Sequence, residues 1–200
     1  MNNLTHPLWF NIKLSGQITA SISHEIKNCL AIIQEQSGLL EDLLFLQKEG
    51  KPLSIEKIEE IINSISRQAR RANLIVQNLN MLAHMPDQEQ SSINLNKLLN
   101  LVISTYNRIS KMKNVDLQLK TQSDKTIITQ PLILFNLIVS ILNDIIAKDP
   151  PKTIYISTNE HKINISPCYY ISNNTKEILK FLKLDYTLDK EKQTIFITLT

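Results

Sequence analysis

Apolar residues recur at spacings of three and four along the first 86 positions, and the period changes beyond them. With His24 at zero on a wheel of about 100° per residue, Ile18, Ile22, Ile26, Cys29, Leu30, Ile33, Leu40 and Leu44 share one arc, predicting a helix over 14–48. Gln17, Ser21, His24, Asn28, Ala31 and Glu35 take the opposite face, so His24 is expected to point to solvent or to a partner. Towards position 48 the arc widens to Ile32, Leu39, Leu43 and Leu46, which predicts a second covered surface there.

Glu49-Gly50-Lys51-Pro52-Leu53 breaks the helix. Ser54 is a suitable N-cap for the next one, and Leu53 is placed to pack on Ile58 as a hydrophobic staple. Ile55, Ile58, Ile62, Ile65, Ala69, Ala72, Val76, Leu79 and Ala83 then form an unbroken seam that ends at Pro86. Two antiparallel helices do not cover both apolar arcs. Two copies do, so the pattern predicts a homodimer built as a four-helix bundle.

Asp87-Gln88-Glu89-Gln90-Ser91-Ser92 reads as a polar linker, and a mixed α/β pattern follows. Strands are predicted at 93–95, 115–121, 153–158, 162–166 and 194–199. Helices are predicted at 96–112, from Pro131 to 147, and at 175–184, with Pro131 suited to a first helical position.

Composition narrows the function classes. With 42% hydrophobic and 20% charged residues the chain reads as globular. The net charge of +3, with its positive excess beyond residue 92, is too mild a bias for nucleic acid, and no aromatic platform accompanies it. Cys29 and Cys168 sit in apolar surroundings and read as buried free thiols of a reducing compartment. The opening Met1-Asn2-Asn3-Leu4-Thr5-His6-Pro7 lacks a signal-peptide pattern, and no apolar stretch reads as long enough to span a bilayer. A cytoplasmic protein without a membrane partner is expected.

The chemistry centres on Ser23-His24-Glu25-Ile26-Lys27-Asn28, a potential nucleophile with an acid beside it and a carboxamide one helical turn on. Residues 18–30, Ile-Thr-Ala-Ser-Ile-Ser-His-Glu-Ile-Lys-Asn-Cys-Leu, resemble the phospho-acceptor box of histidine kinases, with Cys29 where that family commonly has proline. The hairpin at 14–86 resembles their dimerisation and histidine-phosphotransfer domain. Ile93-Asn94-Leu95-Asn96-Lys97-Leu98-Leu99 is similar to the opening of their ATPase domain, and Gln193–Leu199 to its closing strand. Residues 132–148 run parallel to the helix that carries the family's nucleotide-binding asparagines, but Ser140 and Asp144 stand in their place. Where an Asp-x-Gly-x-Gly turn would read adenine, the chain has Pro167-Cys168-Tyr169-Tyr170. Where a glycine-rich lid would follow, it has Ser172-Asn173-Asn174-Thr175. No glycine occurs after Gly50.

The combination resembles the bundle-type histidine phosphotransferases of bacterial phosphorelays. That resemblance implies an extension at 1–13, the phosphotransfer hairpin at 14–86, a linker at 87–92 and a degenerate ATPase-like α/β sandwich at 93–200. It implies His24 as phospho-acceptor and Glu25 as the residue that orients the imidazole and raises its basicity. Asn28 is implied to orient a water towards a partner's phospho-aspartate. Response-regulator receiver domains are the implied partners, bringing their own magnesium; neither ATP nor a resident cofactor or metal is expected. Gln17, Ser21, Ala31 and Glu35 are candidate contacts to a receiver, as are Arg67, Arg70 and Arg71 on the second helix.

Overall fold

The computed structural model describes residues 7–121, 125–159 and 162–199. Two long helices open the fold, α1 (Pro7–Lys48) and α2 (Ile55–Ala83). The first begins well ahead of the expected position 14, inside the proposed extension, whose residues 1–6 lie outside the described part. Proline is compatible with a first helical position because its missing N–H has no intrahelical partner there.

The turn between the helices follows local rules. Gly50 adopts φ 82°, a left-handed conformation that suits glycine. Its N–H donates to the Gln47 carbonyl at 3.0 Å and the next N–H, of Lys51, donates to Leu46 at 3.1 Å, the paired bonds of a Schellman stop. The Ser54 hydroxyl then accepts the Lys57 N–H at 3.2 Å and donates to the Glu56 carboxylate at 2.9 Å. The backbone N–H of Glu56 itself and then this Ser54 hydroxyl hold the Glu56 carboxyl below its ordinary pKa. Ser54 is thus the N-cap that the sequence predicts.

The chain divides into two compact units. One is Ile22–Asn80; the other joins the chain up to Ser21 with Met81–Thr200. Within the first, the seam of α2 separates into two rows. Ile61 is buried, and Ile58, Ile65, Ala72, Ile75 and Leu79 are partly covered on the same side. Ile55, Ile62, Ala69 and Val76, which recur every seven residues, are exposed, as are Leu30, Leu39, Leu44 and Phe45 of α1.

In the second unit a 3-10 turn at Met85–Asp87 leads to β1 (Ser91–Asn94), α3 (Leu95–Lys111), β2 (Asp116–Thr121), β3 (Thr126–Thr129) and α4 (Pro131–Lys148). There follow β4 (Thr153–Asn159), β5 (Lys162–Ser166), α5 (Asn173–Phe181), β6 (Tyr186–Asp189) and β7 (Thr194–Thr198). Five strands form one sheet in the order β2-β4-β5-β7-β6, with β2 and β4 parallel and the other neighbours antiparallel. Strand alternation puts Ile154 and Ile156, Ile163 and Ile165, and Ile195 and Ile197 on a buried face. Leu134, Phe135, Leu137, Ile138, Ile141 and Leu142 of α4 complete the core with the apolar faces of α3 and α5.

Two strands arise where the sequence reading assigned none, and one expectation changes. Thr126–Thr129 forms β3, antiparallel to β1 with Ile93 opposite Ile127. Tyr186–Asp189 forms the edge strand β6, which pairs with β7 through a turn where Asp189 Oδ1 accepts the N–H groups of Glu191 and Lys192, each at 3.0 Å. The changed expectation concerns spanning length: α4, 18 residues with Asp144 and Lys148 its only charges, is long and apolar enough to cross a membrane. Here its apolar length is explained by burial on nearly every side within the α/β core.

Candidate functional site

His24 lies on the exposed side of α1, with Asn28 exposed one turn further along and Ala31 and Glu35 continuing the strip. Side chains four apart on a helix stand about 5–6 Å apart at Cβ, so one partner group can meet both the imidazole and the carboxamide. Gln17 is exposed as well. Ser21 is not: it is 4% exposed, and its hydroxyl has no hydrogen-bond partner among the described residues. The reason is visible on the wheel. Ser21 stands seven residues from Leu14 and three from Ile18, both buried, so it falls at the edge of the covered arc. Ser21 is therefore no surface contact in this structure.

Glu25 faces away from that strip. Its Oε2 lies 3.3 Å from Arg71 Nη2, an ion pair joining α1 to α2 inside the Ile22–Asn80 unit. The Glu25 side chain is only 14% exposed, whereas that of Arg71 is 52% exposed. Arg67 and Arg70 lie in the open on the same helix. Periodicity assigns each of these residues a face, but the axial register of one helix against the other is not encoded locally. The Glu25–Arg71 pairing was therefore invisible in the sequence.

The α/β unit holds a second polar cluster around Ser140 and Asp144, where the sequence resemblance leads one to expect asparagines. Both lie on α4, one turn apart. The Thr175 hydroxyl donates to Asp144 Oδ2 at 2.6 Å, and the Ser172 N–H donates to the same oxygen at 2.8 Å. Ser140 stands 2.6 Å from the Thr175 hydroxyl, and Ser172 caps α5 by accepting the Thr175 N–H at 3.3 Å. The Ser172-Asn173-Asn174-Thr175 run thus starts a helix on the carboxylate of Asp144. The signal for it was present, since a serine immediately before a helical stretch is a cap pattern.

Beside this cluster a cavity of about 310 Å3 is lined by Asp144, Ile145, Lys148, Asp149, Tyr169 and Tyr170. Lys148 Nζ lies 5.4 Å from the centre of the Tyr170 ring. Cys168 and Cys29 are both buried and free, as their surroundings predict. Burial pushes the Cys168 thiol up to about 11, with the Asp144 carboxylate adding to the rise. Among the described residues no three His, Cys, Asp or Glu side chains cluster as a metal-ligand set.

Residues 14–88 match the family of His Kinase A (phospho-acceptor) domains. That match covers most of α1, the turn after it and all of α2, so it is the helical hairpin that is similar to the phospho-acceptor domain of histidine kinases. Similar solved structures include the cytoplasmic segment of histidine kinase QseC, at 14% identity over 66% of this chain and 93% of that one, with a TM-score of 0.48. Another is the Acinetobacter baumannii histidine kinase AdeS, at 12% identity over 88% and 95%, TM-score 0.44. A third is histidine kinase ThkA in complex with response regulator protein TrrA, at 16% identity over 94% and 61%, TM-score 0.42. No curated protein sequence matches the chain.

Proposed function

We propose that this chain is a histidine phosphotransferase that accepts phosphoryl groups from, and returns them to, response-regulator receiver domains through His24. The observation that carries this reading is the exposed pair His24 and Asn28, one turn apart on the outer face of a phospho-acceptor hairpin. Phosphoryl transfer needs in-line access to a nucleophile and little covalent machinery beyond it. An exposed helix face offers that access to the acidic pocket of a receiver, and the magnesium comes with the receiver.

The α/β unit acts in this reading as a docking platform without ATP chemistry. Two features support that. The chain has no glycine beyond Gly50 from which to build a phosphate-cradling loop or lid. Asp144 is engaged by Ser172 and Thr175, and it adds negative charge where a polyphosphate would otherwise be accommodated. The working unit is a homodimer in the cytoplasm, because the exposed row Ile55, Ile62, Ala69 and Val76 needs a second copy to cover it.

The test is incubation with phosphorylated receiver domains. Acid-labile label on this chain, lost in His24→Ala, is the expected result. A chain that binds phosphorylated receivers and takes no label would be a scaffold, and label taken from ATP alone would make it a kinase.

A further inference from the structure

Two tyrosines in succession wall the cavity beside Asp144, which measures about 310 Å3. Tyr169 is 53% exposed and Tyr170 47%, and buried Ile145 adds aliphatic surface. The Tyr169 hydroxyl donates to Gln193 Oε1 at 2.7 Å, so the ring is the part of that side chain left to meet a ligand. Aromatic faces attract cations that come within about 6 Å of the ring centre. One cation of the chain is already there: Lys148 Nζ stands over the Tyr170 ring, 5.4 Å from its centre.

The other groups around the cavity favour positive charge as well. Asp144 gives Oδ2 to Ser172 and Thr175, and its Oδ1 takes no part in those bonds. Asp149 is exposed and forms no ion pair among the described residues. The helix α4 ends here, with Lys148 its last residue and Asp149 its C-cap. Carbonyl groups without intrahelical partners at a helix carboxyl end add partial negative charge. Two carboxylates and a helix end stand against the single ammonium of Lys148, so an anion entering the cavity meets net repulsion.

We propose that this cavity binds an organic cation of the alkylated ammonium class, with Lys148 as the internal competitor that the ligand displaces from Tyr170. The rings select the class. A large, weakly hydrated cation gains from aromatic contact, whereas a small divalent metal keeps its water and needs more oxygen ligands than two carboxylates supply. The volume fits a ligand of modest size, since small-molecule sites span about 300–1,000 Å3. Every residue used belongs to the α/β unit, so the proposal does not depend on phosphoryl transfer at His24.

The experiment is calorimetric titration of the whole chain with choline chloride at low ionic strength, with sodium chloride at equal concentration as the blank. Helix content is checked for each variant. The wild type should give saturable heat. Lys148→Met keeps most of the apolar stem and removes the charge, and it should tighten binding about threefold or more. Asp149→Asn should weaken it by about the same factor. Tyr170→Leu should weaken it about fivefold, and Tyr170→Phe, which keeps the ring, should bind within about twofold of wild type.

The sign of the Lys148→Met effect is the sharpest discriminator, because in a site built for anions the same change would weaken binding. That result overturns the proposal. So does the lack of saturable heat in both the wild type and Lys148→Met, both chains being folded. Unchanged affinity in Tyr170→Leu and Asp149→Asn alike would place choline elsewhere on the chain and overturn it too. Displacement of choline by magnesium-ATP would assign the cavity to a nucleotide. Labelling of His24 is not read in these titrations, so either reading can fall without the other.

Discussion

Asp144 Oδ2 and the Thr175 hydroxyl oxygen lie 2.6 Å apart, and through that bond the last turns of α4 hold the first turn of α5. The carboxylate sits where the family resemblance leads one to expect a nucleotide ligand, and it serves as a helix anchor. Its removal strips charge-assisted acceptors from Ser172 and Thr175 together. Asp144→Ala should therefore cost about 1.5–3 kcal/mol of unfolding free energy. Urea unfolding followed by circular dichroism checks this, and a midpoint within error of wild type would show the contact to be dispensable.

The same engagement bears on ATP. Calorimetry with magnesium-ATP is expected to show no heat of binding at millimolar nucleotide. Micromolar binding would restore the kinase reading.

Assembly is tested by residues that adjoin in sequence and differ in environment. Ile61 is 4% exposed, while Ile62 beside it is 49% exposed. Ile62→Glu should break the dimer and leave each hairpin helical, because the charge falls on the outward row. Ile61→Glu should unfold the hairpin, at a cost of several kcal/mol for a buried charge without a partner. Light scattering and circular dichroism separate the two outcomes. A wild-type chain that stays monomeric and still accepts phosphate would sink the bundle.

His24 and Asn28 should divide transfer from hydrolysis. His24→Ala is expected to abolish labelling by a phosphorylated receiver, with helicity and dimerisation unchanged. Asn28→Ala should retain labelling on His24 and slow the loss of phosphate from the receiver by about tenfold or more, since it removes the group proposed to orient water. Equal loss of both activities would place Asn28 in transfer itself.

Cys168 yields a pH prediction. Burial holds the thiol protonated in the folded chain up to about 11, against 9.0 for the unperturbed group. Between those values the unfolded state binds fewer protons than the native state, so stability falls as pH rises through that window. Burial also raises the Tyr106 phenol above its ordinary 10.0, which adds to the decline at the alkaline end. Thermal melts across the range should show this, and Cys168→Ser should flatten the first part. Neither cysteine should react with a thiol reagent at about pH 8 until the chain is unfolded. Rapid labelling of the native protein would contradict the burial of both.

Local chemistry was legible from the chain alone. The stop at Gly50, the cap at Ser54, the helical periods of α2 and α4 and the alternating strands β4, β5 and β7 each depend on residues within a few positions of one another. So does the outward placement of His24 and Asn28, because a period of 3.6 sorts side chains into faces without reference to the rest of the fold. Tertiary structure decided what each face meets. A wheel records direction around a helix but neither axial register nor neighbour, so Ser21 is buried and the α2 seam divides into an inner and an outer row. The strands β3 and β6 exist because distant partners, β1 and β7, supply their hydrogen bonds. The Glu25–Arg71 and Asp144–Thr175 pairs have the same origin. Each joins residues far apart in the chain, and only packing fixes the distance between them.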